Sequence, residues 1–160
     1  MIKTHYLQCI YDKAKFKLTR EKTLEVVKQL VVDLPIDSLA FTGYSGAAMA
    51  YWLAAQLDLN LVCVRKENEN SHYISNMKNY YNKDERTLVE GDVSGKNYLI
   101  IDDFITTGMT AEHVLREIKH LNTIDGIKSK LECKGLVMFA ANQYYPGTWK
   151  ELPVYRTGIE

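Results

Sequence analysis

One short segment carries most of the residues whose types and spacing point to chemistry. Residues 99–110, LIIDDFITTGMT, join an apolar run to two adjacent carboxylates and then to a hydroxyl-rich turn around a glycine. Thr106, Thr107 and Thr110 can donate hydroxyl hydrogen bonds. Gly108 permits close backbone approach, and a helix that begins here presents free N–H groups and the positive end of its dipole. The segment therefore predicts a phosphate-binding turn.

The two carboxylates, Asp102 and Asp103, set this turn apart from the commoner phosphate loops. They would repel a phosphate, so they favour a diol or a hydrated cation beside it. Neither GxxxxGK[ST] nor GxGxxG occurs in the chain. The residues therefore predict a sugar phosphate bound together with Mg²⁺.

The elements that must position this segment alternate between strands and helices. Apolar runs typical of buried strands lie at residues 36–42, 60–65, 97–101 and 134–140, with a weaker strand at 87–93. Amphipathic helices are predicted over 19–34 and 108–121, and a further helix follows the Gly43 to Gly46 turn with Ser45 as its cap. The alternation predicts an α/β fold with a parallel sheet of about five strands and helices on both faces.

Two segments lack such periodicity. Residues 67–86 are polar and about twenty in number, which is typical either of a functional lid or of a solvated surface loop. The tail from residue 141 carries aromatic residues and two prolines, and we expect aromatic packing rather than regular structure to order it. The aromatic residues Tyr144, Tyr145 and Trp149 could stack on a planar base or simply pack against the core.

Composition limits the classes of protein that fit. The chain has 160 residues, 46% of them hydrophobic, and a formal net charge of zero, so we expect a single compact domain that does not bind nucleic acid. Its three cysteines form no CxxC pair, which favours a reducing compartment and indicates neither disulfides nor zinc. No leader and no membrane span are predicted, so we expect a cytoplasmic protein.

The segment LIIDDFITTGMT resembles the phosphoribosyl pyrophosphate (PRPP) motif of the type I phosphoribosyltransferases. Other segments agree in order: residues 36–46 look like the family's pyrophosphate turn, residues 60–66 like its strand ending in a basic pair, and residues 90–96 like the hairpin before the PRPP strand. The resemblance covers about residues 36–121. It implies a single Rossmann-like domain over 1–160, with a core at about 20–140, a flexible loop at about 67–86 and a small hood from about 1–18 and 141–160.

The function implied by the resemblance is Mg²⁺-dependent transfer of a phosphoribosyl group from PRPP to a nitrogenous base, with release of pyrophosphate. Asp102 and Asp103 would hold the ribose hydroxyls and the magnesium-bound waters. Residues of two turns would bind PRPP through backbone amides and hydroxyls: Thr106, Thr107, Gly108, Met109 and Thr110 at the 5-phosphate, and Thr42, Gly43, Tyr44 and Ser45 at the pyrophosphate. Family members are commonly dimers, so the resemblance also implies a homodimer.

Further roles are implied by position, with departures from the family pattern. Arg65 and Lys66 would assist at the pyrophosphate, and His72 would act from the mobile loop, although an orotate-type loop lysine is missing at this spacing. Thr106 stands where transferases of 6-oxopurines often carry an acid, which weighs against that substrate class. Tyr144, Tyr145 and Trp149 would be the base-stacking residues.

Two other functions stay open on the sequence. The chain could be a PRPP-binding or nucleotide-binding regulator, or a partner-binding subunit, without transferase activity. It could also be a phosphoribosyl hydrolase, or a transferase that runs in reverse and degrades nucleotides with pyrophosphate. The residues name neither the base nor the direction of the reaction.

Overall fold

The computed structural model of this chain describes residues 11–66, 87–103, 107–140 and 147–158. Its helices are α1 (Lys13–Asp33), α2 (Gly43–Leu57) and α3 (Met109–Leu121). Its strands are β1 (Ser38–Phe41), β2 (Asn60–Val64), β3 (Val89–Gly91), β4 (Asn97–Asp102), β5 (Glu132–Met138), β6 (Thr148–Trp149) and β7 (Leu152–Arg156).

The strands form one sheet in the order β3-β2-β1-β4-β5-β7-β6. Five of them, β2, β1, β4, β5 and β7, are parallel to one another. The short strands β3 and β6 lie at the two edges and pair antiparallel with their neighbours. The predicted α/β class is therefore confirmed, with a sheet that is mixed at its edges.

Burial on both faces explains why the central strands are nearly continuous apolar runs. Leu99 and Ile101 of β4 pack into a core with α1 and α2, whereas Ile100 between them packs into a second core with α3. Alternate residues of one strand thus enter opposite cores, because strand side chains point to opposite faces. Helices consequently cover both faces of the sheet.

Helix α1 begins six residues before the predicted start at Thr19. The carboxylate of Asp12 caps it, accepting hydrogen bonds from the backbone N–H groups of Ala14 and Lys15 at 3.0 Å each. The first turns are rich in lysine and lack apolar periodicity, which is why the sequence pattern missed them. The helix ends before Pro35, as predicted.

The turn from β1 into α2 corrects the predicted helix cap. Helix α2 begins at Gly43, so Ser45 lies inside the first turn and Thr42 is the N-cap residue, without a side-chain capping bond. Gly43 has φ +70°, a conformation that costs glycine little and lets the strand turn directly into the helix.

The tail is more regular than its sequence suggested. Strand β7 pairs with β5 in parallel. The preceding strand β6 pairs with β7 antiparallel, and the two-residue turn Lys150-Glu151 joins them. The short run LPVYR includes a proline, a residue that sheets tolerate only at edges and strand starts, and this obscured the strand.

Within the described ranges, no helix is both long enough and apolar enough to cross a membrane. The predicted mobile loop at 67–86 and most of the predicted hood lie outside those ranges. Of the hood segments, residues 13–18 belong to α1 and residues 148–156 extend the sheet.

Candidate active site

The two carboxylates lie at the carboxyl end of the central strand. Asp102 is the last residue of β4 and Asp103 follows it. The carbonyl oxygen of Asp102 accepts a hydrogen bond from the backbone N–H of Phe139 at 3.2 Å, and that of Asp103 accepts one from Ala140 at 2.7 Å, which extends the pairing of β4 with β5. Ligands of open parallel sheets bind outside the carboxyl ends of the strands, so this edge is the candidate site.

Both carboxylates are buried, and their like charges repel each other. Each residue is 7% exposed, and the Asp103 N–H donates to Asp102 Oδ1 at 2.9 Å. Burial, and then the charge of Asp103, raise the pKa of Asp102 well above its ordinary value, while the charge of Lys66 acts in the opposite direction. The pair therefore forms a site where a cation or hydroxyl donors would be stabilised.

Lys66 lies against the beginning of α2. A Cβ atom built on Gly43 would stand 3.4 Å from its Cε and 3.5 Å from its Nζ, so the ammonium lies beside this glycine. Next to it, Thr42 is 6% exposed, and within the described structure its hydroxyl oxygen has no hydrogen-bond partner. A buried, unsatisfied hydroxyl beside an ammonium and a helix N-terminus makes this turn receptive to an anion.

The same turn is packed tightly against β4. A Cβ atom on Gly46 would stand 2.8 Å from the carbonyl oxygen of Ile101 and 3.1 Å from Cβ of Phe41. The first turn of α2 can approach the end of β4 only because residue 46 has no side chain. Tyr44 is 78% exposed and Ser45 is half-buried, so both predicted residues lie at the surface of this turn.

Arg65 points its guanidinium toward strand β3. Its Nε and Nη2 donate to one oxygen of Glu90 at 3.0 and 2.9 Å, and both side chains are about one-third exposed, at 38% and 30%. The predicted basic pair is thus divided: Arg65 pairs with Glu90, and Lys66 lies at the α2 turn.

His113 of α3 joins this helix to the end of β2, next to the basic pair. Its Nε2 lies 2.8 Å from the carbonyl oxygen of Arg65, and its Nδ1 lies 2.9 Å from Nη2 of Arg116. A carbonyl only accepts and a guanidinium only donates, so these two partners assign a neutral ring with the proton on Nε2. The sequence carries no signal for this contact, because the Arg65 carbonyl is 48 residues away from His113.

The predicted phosphate turn leads into α3 as expected. Gly108 is the N-cap residue at φ +79°, and its carbonyl oxygen accepts the Glu112 N–H at 2.8 Å. Thr107, Met109 and Thr110 are exposed around it. The remaining predicted residues, Thr106, His72, Tyr144 and Tyr145, lie outside the described residues.

Trp149, in the C-terminal hairpin, packs against Gly108 of this turn. A Cβ atom on Gly108 would stand 2.5 Å from the indole Nε1 and 2.7 Å from Cε2 and Cζ2. Lys150 lies over the same ring at 5.2 Å and pairs with Glu112 at 2.5 Å. The sequence contained no signal for these contacts, since they join segments about forty residues apart.

Comparisons with known proteins agree with this fold. The family model described as a phosphoribosyl transferase domain matches residues 43–148. A search of curated proteins found no significant match. Solved structures with a similar fold include an adenine phosphoribosyltransferase from Rhodothermus marinus, with 21% identity and a TM-score of 0.57, covering 91% of this chain and 79% of that one.

Two further structures with a similar fold are an orotate phosphoribosyltransferase and a UMP synthase. Orotate phosphoribosyltransferase of Francisella tularensis has 20% identity and a TM-score of 0.56, covering 91% of this chain and 66% of that one. The Leishmania donovani UMP synthase has 18% identity and a TM-score of 0.53 over 82% of this chain, which spans only 23% of that protein. The match over residues 43–148, which is more than half of the chain, establishes that this chain belongs to the phosphoribosyl transferase domain family.

Proposed function

We propose that this protein transfers the phosphoribosyl group of PRPP to a nitrogenous base and releases pyrophosphate, in a Mg²⁺-dependent reaction. The observation that carries the proposal is the buried pair Asp102 and Asp103 at the end of β4. The neighbouring strand β1 leads into the N-terminus of α2, and β4 is followed in the chain by the N-terminus of α3. One helix N-terminus suits the 5-phosphate and the other suits the pyrophosphate, with the sugar between them.

In this proposal the phosphate turn binds the 5-phosphate. The N–H groups at the start of α3 donate to the phosphate oxygens, and the hydroxyls of Thr106, Thr107 and Thr110 add further donors. Gly108 and Met109 contribute backbone only. Asp102 and Asp103 accept hydrogen bonds from the ribose hydroxyls, which orients C1 of the sugar toward the incoming base.

The donor set of the carboxylate pair suits Mg²⁺. Among the described residues no group of three or more His, Cys, Asp or Glu side chains could hold a metal. Mg²⁺ commonly keeps several waters and is held by one or two carboxylates plus substrate phosphates, which is what Asp102 and Asp103 offer. When bound, the ion neutralises charge on the leaving pyrophosphate.

The α2 turn is the proposed pyrophosphate site. Its backbone from Thr42 to Ser45, the unsatisfied Thr42 hydroxyl and the Lys66 ammonium would together stabilise the negative charge that develops on the leaving group. Arg65 would assist only after leaving Glu90, because its guanidinium is paired there. Its proposed role is therefore linked to ligand binding.

The acceptor is proposed to be a nucleobase bound under a hood from about residues 1–18 and 141–160. Tyr144 and Tyr145 are proposed to stack on it, and His72 with the loop at 67–86 is proposed to close over the reacting atoms and exclude water. The proposal further includes a cytoplasmic homodimer, by analogy with the family.

A PRPP-binding protein without transferase activity is the second candidate. It is favoured by the ion pair of Arg65 with Glu90, because of the two predicted basic residues only Lys66 then lies at the α2 turn. Both candidates predict PRPP binding, and they differ in turnover.

The test is pyrophosphate release from PRPP and Mg²⁺ with a panel of purines, pyrimidines and pyridines that includes adenine and orotate. Release that depends on one base supports the transferase and names its acceptor. Binding of PRPP, seen as a rise in melting temperature, without release on any base supports the second candidate. Asp103→Asn is the matched control, since it should abolish release while removing a single charge.

A further inference from the structure

The hairpin formed by β6 and β7 contacts the predicted phosphate turn at Gly108, which is distant from it in the sequence. Trp149 packs its indole edge onto Gly108 so closely that the glycine has no room for a Cβ atom. Glycine at this position is therefore required twice, by its positive φ and by the indole. An indole in such contact restricts where the backbone of the turn can lie.

A second contact holds the same hairpin to α3. The Lys150 ammonium pairs with Glu112 in the first turn of the helix and lies over the Trp149 ring. Both charged side chains are more than half exposed, so the pair adds little stability by itself. Its effect is directional, since it orients Lys150 and the ring beneath it relative to the helix start.

The hairpin turn is in an unfavourable conformation for its residues. Lys150 has φ +46° and Glu151 has φ +67°, whereas two-residue turns of this kind favour Asn and Gly. The contacts of the turn with α3 help to maintain this conformation. These contacts place the hairpin against the start of α3.

We propose that Trp149 is a positioning residue for the phosphate turn: it holds Gly108 and the first turn of α3 in the geometry that receives a phosphorylated sugar, and it does not stack on the base. The inference rests on the proposed function only for the identity of the ligand. It removes Trp149 from the set of base-stacking residues predicted from the sequence, because its indole edge is already against Gly108 and one of its faces lies under Lys150.

The experiment compares Trp149→Phe and Trp149→Ala in the full chain. We measure kcat and the separate KM values for PRPP and base, together with the Kd for ribose 5-phosphate by calorimetry. Trp149→Ala should raise the KM for PRPP and the Kd for ribose 5-phosphate about ten-fold, below the hundred-fold cost of a full ångström of misplacement. Trp149→Phe keeps a ring on Gly108 and should recover most of the affinity, and the KM for base should stay within about two-fold in both variants.

A fluorescence titration keeps the inference testable if Trp149→Ala fails to fold. The chain has two tryptophans, so Trp52→Phe leaves Trp149 as the single indole reporter. Saturating ribose 5-phosphate should change its emission, and an unchanged emission would overturn the inference. A rise in the KM for base with an unchanged KM for PRPP would also overturn it.

The outcomes separate this inference from the proposed function. Turnover on a base with a base-specific defect in Trp149→Ala refutes the inference and leaves the transferase intact. No turnover on any base refutes the transferase, and the response of Trp149 to ribose 5-phosphate then decides the inference alone.

Discussion

Replacing Gly46 by alanine tests the claim that the site depends on close approach of α2 to β4. The new Cβ would meet the Ile101 carbonyl oxygen at 2.8 Å, and that oxygen belongs to the strand that carries Asp102. Backbone on both sides must separate by a few tenths of an ångström to relieve the contact. Overpacking of this kind costs about 1–3 kcal/mol, against a gain of about 1 kcal/mol from the better helix propensity of alanine.

The expected net result is a loss of about 1 kcal/mol in the free energy of unfolding, measured by urea denaturation. The catalytic effect should be larger, because the shift moves the Lys66 and Thr42 side of the site away from Asp102. We expect kcat/KM for PRPP to fall about ten-fold, within the range that misplacement produces. The control is Gly147→Ala, because that glycine has open space around it and no positive φ. Wild-type kcat/KM in Gly46→Ala would refute the reasoning.

Substitutions at three further positions test other features of the site and the fold. Asp102→Asn should lower turnover about 100-fold or more. The variant should also become more stable relative to wild type as pH rises from about 4, because the raised pKa of Asp102 means that its ionisation destabilises the folded protein. A difference in melting temperature between variant and wild type that stays constant across pH 4–8 would contradict this. Glu151→Gly should raise the free energy of unfolding by about 1 kcal/mol in urea denaturation, since glycine relieves a left-handed backbone at φ +67°. His113→Ala should lower the free energy of unfolding by about 1 kcal/mol and raise the KM for PRPP. His113→Gln should recover both, because its side-chain amide can donate to the Arg65 carbonyl. Equal loss in the two variants would contradict the assigned hydrogen bond.

The parts of the fold that the sequence predicted are those controlled by local pattern. The run NYLII, buried on both faces, and the amphipathic spacing of α3 each identify their element without knowledge of the rest of the chain. The glycine turn into α3 was predictable for the same reason, since its carboxylates, hydroxyls and glycine lie within twelve residues, and its binding of phosphate stays a prediction.

The contacts that the sequence did not predict are those between distant segments. Trp149 on Gly108, His113 on the Arg65 carbonyl and Glu90 on the Arg65 guanidinium depend on how the sheet brings strand ends together. Strand β7 was missed because its pairing with β5, and not its own short sequence, determines its conformation.

The most direct test of the central claim is base-dependent pyrophosphate release by the wild-type protein beside Asp103→Asn. Our account predicts Mg²⁺-dependent release from PRPP with one base of the panel and loss of release in the variant. Release by Asp103→Asn at the wild-type rate would contradict the assignment of the carboxylate pair, and no release on any base would contradict the transferase itself.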